Sequence, residues 1–177
     1  MITEPAAYAK HSPAGLTIDA RLITFDDGEA LRRRVLRPGN NAWRFPFSPS
    51  SDFFHMGAFI EHHLASVVSF LIEPSPDAFS HSGPNWRLRG MATEPGMQSH
   101  GIGGILLEEG VLEVSRRNGS IVWCYGRTTA GRFYRRHGFQ PFGDVFDIPD
   151  AGLHSLLVRH IEPISFSGKY SRQARST

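Results

Sequence analysis

The stretch MQSHGIGGILLEEG, Met97 to Gly110, holds four glycines and then settles into the apolar spacing of a helix. The first N–H groups of a helix lack intrahelical partners and carry partial positive charge, and bare glycine backbone lets a phosphate approach them closely. Anion binding is the chemistry this spacing offers. A dinucleotide fingerprint needs a third glycine at position 106, where Leu106 stands, and a Walker loop needs a Gly-Lys-Ser/Thr ending that GIGGIL lacks. What fits is Gln98-x-x-Gly101-x-Gly103 after a strand ending in MATEP. Three histidines, His55, His62 and His63, invite a metal, but adjacent histidines on a strand face opposite ways and no third ligand is spaced for an ion, so no metal site is assigned. The lone Cys124 lies in the apolar run IVWCYG, where a small hydrophobe is its ordinary role.

These residues need a scaffold, and the chain supplies one domain's worth. It has 177 residues, 40% hydrophobic and 11% aromatic, which suits a single core. With one cysteine there is no internal disulfide, in keeping with a reducing compartment. No apolar run is long enough to span a bilayer, and MITEPAAYAKHSPAG lacks the apolar stretch of a signal peptide, so a cytoplasmic protein is expected. LTIDARLITF alternates as a strand, and DDGEALRRRVLRPG follows as a helix with Asp26 or Asp27 as its cap and Pro38-Gly39 as its stop. NNAWRFPFSPSSD is a loop whose Trp43, Phe45 and Phe47 line a cleft or plug the core. A β-hairpin turning near His62-His63 comes next. In the strand WRLRGMAT, Trp86, Leu88, Gly90 and Ala92 share one face, with Arg87, Arg89, Met91 and Thr93 on the other. A helix from Gly101 to Asn118, a buried strand SIVWCYG, a short helix in TTAGRFYRRHG capped by Thr128, and two last strands complete the order β α β β β α β α β β. The expected boundaries are a flexible segment at 1–15, the domain at 16–163 and a flexible basic tail at 164–177.

The glycine loop resembles the acyl-CoA pyrophosphate loop of the Gcn5-related N-acetyltransferase (GNAT) family, whose pattern is Arg or Gln, two residues, Gly, one residue, Gly or Ala. The family's next motif is a strand and a short helix with Ala, two residues, Phe-Tyr and a following Gly-Phe. TTAGRFYRRHGF carries Ala130, Phe133, Tyr134, Gly138 and Phe139 in step with it. A single helix and one strand separate the two motifs, as in the family, and the resemblance spans roughly residues 17 to 161 in element order.

The resemblance implies an α/β single-domain acyl-CoA N-acyltransferase fold: a mixed, mainly antiparallel sheet, splayed at its centre, with helices on both faces. It also implies acetyl-CoA as co-substrate. The strand through Met91, Ala92 and Thr93 would splay from IVWCYG, the backbone of Met91 and Thr93 pairing with the pantetheine amides. Amides from Gln98 through Ser99, His100, Gly101, Ile102, Gly103 and Gly104 would hold the pyrophosphate, with Ala130 and Phe133 completing the cofactor site. Tyr134 stands where the family's tyrosine protonates the departing thiolate. A phenol, with a pKa of about 10 against about 8.5 for a thiol, is a donor at neutral pH. Arg127 replaces the asparagine that many members place against the cofactor, and reaches either a CoA phosphate or carbonyl, or a surface carboxylate. Arg135 and Arg136 are candidates for the adenosine 3'-phosphate or for a solvated face. An amine nucleophile must shed a proton before it attacks; of Glu94, Glu61, His62, His154 and Asp147, the preferred acceptors are His154 and Asp147.

The implied activity is transfer of an acetyl group from acetyl-CoA to a primary amine of a small molecule or peptide, by direct attack in a ternary complex. No Cys-His signature favours a covalent acyl-enzyme. Two rivals remain: a CoA-binding sensor or scaffold without a base, and a nucleic-acid module using RRRVLR and the tail with Lys169, Arg172 and Arg175. A net charge of +2 and the commonness of solvated tails speak against the second. The expected partner is the amine acceptor, with no membrane; homodimerisation stays open.

Overall fold

The computed structural model describes residues 8–46, 52–76 and 83–161. Among these residues, eight strands form one sheet: β1 (Tyr8–His11), β2 (Thr17–Ile23), β3 (Phe53–Ile60), β4 (His63–Ile72), β5 (Asn85–Thr93), β6 (Ile121–Arg127), β7 (Gln140–Ile148) and β8 (Gly152–His160), in the order β1-β2-β3-β4-β5-β6-β8-β7. Three helices complete it among the described residues, α1 (Phe25–Leu36), α2 (Ile102–Arg116) and α3 (Gly131–Arg136), with short 3-10 turns at Pro95–Met97 and Thr128–Ala130. All neighbouring strands are antiparallel except β5 and β6.

The parallel pair is where the sheet opens. Its register runs only from Asn85↔Ile121 to Arg87↔Trp123, and beyond Arg87 the two strands part. Helix α2 packs on one face, over β2 to β5, and α1 on the other, over β4 and β5. The main core lies under α2, where Phe54, Phe70, Trp86, Leu106, Leu107 and Val111 are buried. The α1 face holds two smaller clusters, Leu31 with Val67 and Ala92, and Trp123 with Leu156 and Val158.

Three expectations are corrected. Helix α1 is capped by Thr24, not by Asp26 or Asp27: the Thr24 hydroxyl accepts from the Asp27 N–H while the Asp27 carboxylate accepts from the Thr24 N–H at 2.8 Å. This reciprocal box outweighs a single aspartate cap. Residues 8–11, placed in the segment 1–15 ahead of the first expected strand, form edge strand β1, paired from Tyr8↔Ala20 to His11↔Thr17 and tied to α2 by the Lys10–Glu109 ion pair. Four residues are too few to display a period. Finally, β5 does not alternate throughout. One residue of β4, Val68, opposes both Gly90 and Met91, because Val67 pairs with Ala92 while Ser69 pairs with Arg89.

That β-bulge inverts the phase of the strand. Trp86 and Leu88 join the core under α2, as Met91 does, whereas Ala92 packs beside Leu31 on the α1 face. Gly90 makes the bulge possible: its φ is +59°, and a Cβ there would sit 2.6 Å from the Phe45 ring. Phe45 plugs this spot, buried against Phe25, while Phe47 and the tail at 164–177 lie outside the described residues.

Candidate active site

A cleft of about 690 Å³ runs along the α2 face of the fork. Its walls come from the β5 end, the loop into α2, the first turn of α2 and the helix α3, with Val35 of α1 reaching it through the gap.

The loop is shaped by backbone. Ser99 and Gly101 both have positive φ, and Gly101 is the N-cap of α2 in the left-handed region with no side-chain cap. No acidic residue occupies the first turn. The leading amides of α2 are thus left to solvent or to a ligand, with the positive end of the helix dipole behind them. Gly103 sits where β5 and α2 come closest: a Cβ would lie 3.0 Å from Thr93 Oγ1 and 3.3 Å from Met91 Cε. The bulge aims both residues at the helix start. Gln98 fastens the loop to the strand, its Nε2 donating to the Thr93 carbonyl at 3.1 Å.

Helix α3 supplies the opposite wall. Tyr134 is 7% exposed, packed edge-on against Phe133 and Phe139, and lies beside the Cys124 thiol of β6. Burial raises the phenol well above its ordinary value, with Cys124 adding to the shift, so Tyr134 is a neutral O–H at physiological pH. Burial likewise pushes the Cys124 thiol up to about 12, leaving no thiolate to act as a nucleophile.

Of the residues expected to bind cofactor, Met91, Ala92, Thr93, Gln98, Ser99, Gly101, Ile102, Gly103, Gly104, Ala130 and Phe133 all line this cleft. His100 and Arg127 do not. The His100 ring is tied to the Gln98 carbonyl at 2.8 Å, and exposed Arg127 donates to the Leu36 carbonyl at 3.4 Å, bridging the end of β6 to the end of α1. Of the expected catalytic residues only Tyr134 lines it. His154 is buried beside Phe146 and pairs across strands with Arg127, on the same face of β8 as Leu156 and Val158 and hence on the α1 side of the sheet. Asp147 is exposed on β7, opposite Leu153. Glu94 is engaged by Arg34 at 2.5 Å.

The sequence reading missed Arg132 and His137 as cleft residues. Arg132 and Arg136 stand four apart on α3, a spacing that puts both on one helix face and signals a basic wall. His137 gave no signal of its own. It is held by the Glu108 carboxylate at 2.8 Å, which Arg159 also grips at 2.9 Å. Burial alone would raise the Glu108 carboxyl, but hydrogen bonds from His137 and Arg159, with their charges, more than reverse this and bring it down to about 2.

A sheet forked beside its one parallel pair, with an uncapped helix start and a buried tyrosine facing the fork, defines an acyl-CoA N-acyltransferase fold. A model of the acetyltransferase (GNAT) domain matches residues 59–141. The uncharacterised N-acetyltransferase YitI of Bacillus subtilis is 28% identical over 144 residues, covering 80% of this chain and 95% of its own. Among solved structures, an acyl-CoA N-acyltransferase from Pseudomonas aeruginosa is similar in fold, with a TM-score of 0.59 and 18% identity over 81% of this chain and 99% of that one. An aminoglycoside 6'-N-acetyltransferase complexed with coenzyme A is also similar, with a TM-score of 0.52 and 14% identity over 64% and 76%. Residues 59–141 thus match the GNAT acetyltransferase domain, and most of the chain is similar to an N-acetyltransferase, which marks it as an acyltransferase. No helix among the described residues is long and apolar enough to cross a membrane.

Proposed function

We propose that the protein transfers the acetyl group of acetyl-CoA to a primary amine of a small molecule or peptide, by direct attack in a ternary complex. The observation that carries this reading is that one cleft contains both the uncapped start of α2 and the Tyr134 phenol, and opens into the gap between β5 and β6. The residues fit the co-substrate. Amides of Gly101 to Gly104 suit the pyrophosphate, and Arg132 and Arg136 suit the outer phosphate. The backbone of Met91 to Thr93, which has no partner on β6, suits the pantetheine amides. The similar aminoglycoside acetyltransferase was solved with coenzyme A, in keeping with this assignment. We take residues 16–163 as the transferase unit, to which β1 at residues 8–11 adds an edge strand, and a cytoplasmic location as the one that supplies acetyl-CoA.

The chemistry follows from the groups at hand. A neutral amine attacks the thioester carbonyl, and a strand N–H near Thr93 stabilises the oxyanion. As the C–S bond breaks, the Tyr134 O–H donates to the departing sulfur, and the proton lost by the amine finally balances the thiol released. His154 is our candidate for receiving that proton. Its Nδ1 lies 2.6 Å from the Gly152 carbonyl and must donate to it, leaving Nε2 as the basic atom of the neutral ring. Asp147 is the second candidate. The test is thiol release from acetyl-CoA across a panel of amines, with mass spectrometry of amine and protein. One acetyl group on the amine and none on the protein supports direct transfer. Acetylated protein, or no amine-dependent release, sinks it.

A further inference from the structure

The α1 face of the fork carries more positive charge than its described partners neutralise. Arg87 and Arg89 stand on β5 on either side of the point where β6 leaves it, and the fully buried Arg32 of α1 lies behind them. Arg32 is spoken for: it donates to the Gly90 carbonyl at 3.2 Å, to Ser69 Oγ at 2.7 Å and to the Phe25 carbonyl, with the Glu29 charge nearby. Arg87 meets Glu73 at 2.6 Å and lies over Trp123 and Tyr125, but its Nε is buried with no hydrogen-bond partner among the described residues. Arg89 has the face of Phe45, 5.3 Å away, and neither an ion pair nor a hydrogen-bond acceptor among the described residues, the Glu73 charge that Arg87 holds reaching it only through space. Three guanidinium groups thus share two carboxylates, Glu29 and Glu73, among the described residues.

Such an excess is costly to keep. Burial and the neighbouring charge of Arg87 both lower the pKa of Arg89, the mark of a cation in want of an anion. A guanidinium against an aromatic face at a cleft suits a planar carboxylate, which it can grip through two parallel N–H bonds. Phe45, Tyr125 and Phe146 give the spot apolar walls. Resting on the acetyltransferase reading, in which the co-substrate fills the cleft on the α2 side of the fork and leaves the α1 side to the acceptor, we propose that Arg89, backed by Arg87, binds the carboxylate of the acceptor, so that the acceptor is a carboxylate-bearing amine of the amino-acid class.

The test uses the full-length protein with saturating acetyl-CoA and acceptor pairs that differ only at the carboxyl: glycine, L-alanine, L-leucine and L-phenylalanine against their amides. Thiol release gives kcat/KM, and calorimetric titration of the N-acetylated acids and amides gives affinities that need no turnover. At least one acid exceeds its amide by roughly ten- to a hundredfold, the range for hydrogen bonds to charged groups. Arg89→Met, which keeps the bulk against Phe45, brings that ratio near one by weakening the acid alone, and Arg89→Lys falls between. Thermal melts check that each variant is folded. Amides equal to acids, silence toward both, or a variant that weakens both alike overturns the proposal. Heat from acetyl-CoA alone, measured in the same preparation, keeps the two readings apart. Its absence fails the acetyltransferase reading, while the acid preference of the N-acetyl series is judged by itself.

Discussion

Gly103 offers a way to separate ligand binding from folding. A side chain there enters the narrow gap between α2 and β5, where a Cβ meets Thr93 Oγ1 at 3.0 Å and Met91 Cε at 3.3 Å. Both neighbours are side-chain ends that can yield a few tenths of an ångström. Alanine also gains up to about 1 kcal/mol of helix propensity over glycine. Gly103→Ala should therefore change stability by less than about 1 kcal/mol. Gly103→Glu places a carboxylate in the first turn of α2, where the helix dipole favours it by about 0.3–1 kcal/mol, so the apo protein should stay folded.

Binding should respond in the opposite sense. Each amide–phosphate bond lost costs about 1.5–3 kcal/mol. A carboxylate roughly 4 Å from a phosphate adds repulsion of about 4 kcal/mol at an effective dielectric of 20. Alanine should weaken acetyl-CoA by roughly tenfold or more, and glutamate by at least a thousandfold. Calorimetry with acetyl-CoA and thermal melts of the apo proteins together give the answer. A folded Gly103→Glu variant that binds acetyl-CoA like wild type would refute the assignment of the α2 start as the pyrophosphate site.

Other expectations follow from the same geometry. Tyr134→Phe should lower kcat by about a hundredfold while leaving acetyl-CoA affinity within about threefold; an unchanged kcat across the pH range removes the tyrosine from the chemistry. Gly90→Ala forces a left-handed φ of +59° on alanine and drives its Cβ into the Phe45 ring. Strain of about 1–2 kcal/mol and overpacking of about 1–3 kcal/mol should lower Tm by roughly 5–15 °C, and a Tm within about 2 °C of wild type would deny the bulge its need for glycine. Glu108, depressed from 4.5 to about 2, binds fewer protons folded than unfolded between those values. Its contribution is present above pH 4.5 and is lost as pH falls toward 2. Denaturant melts of Glu108→Gln should show a shallower loss of stability than wild type across that window.

Much of the fold was legible because its signals are local. The glycines at 101, 103 and 104 announce a helix start, the run IVWCYG a covered strand, and Phe133-Tyr134 a helix beside it. What escaped depends on partners far along the chain. Nothing in WRLRGMAT says that Gly90 bulges, since the bulge exists only in register with Val68 of β4. The Thr24 cap was readable in principle, as a threonine three residues before an aspartate. His137 was not, because its hold comes from Glu108 and Arg159, 29 and 51 residues apart from their partners in the chain. The surroundings of His154, the proposed proton acceptor, were least legible, since it reaches its side of the sheet only through the insertion of β8 between β6 and β7.

The fork leaves its mark on energetics as well as chemistry. Past Arg87, β5 turns N–H and C=O groups toward β6 that no strand among the described residues takes up. A ligand seated there completes the sheet as a removable rung between its two halves. Folding and occupancy are then linked: at a hundred times its Kd a ligand adds about 2.7 kcal/mol to the native state. A cell rich in the co-substrate would keep the two halves stitched and their amides slow to exchange, and a starved one would leave the seam open.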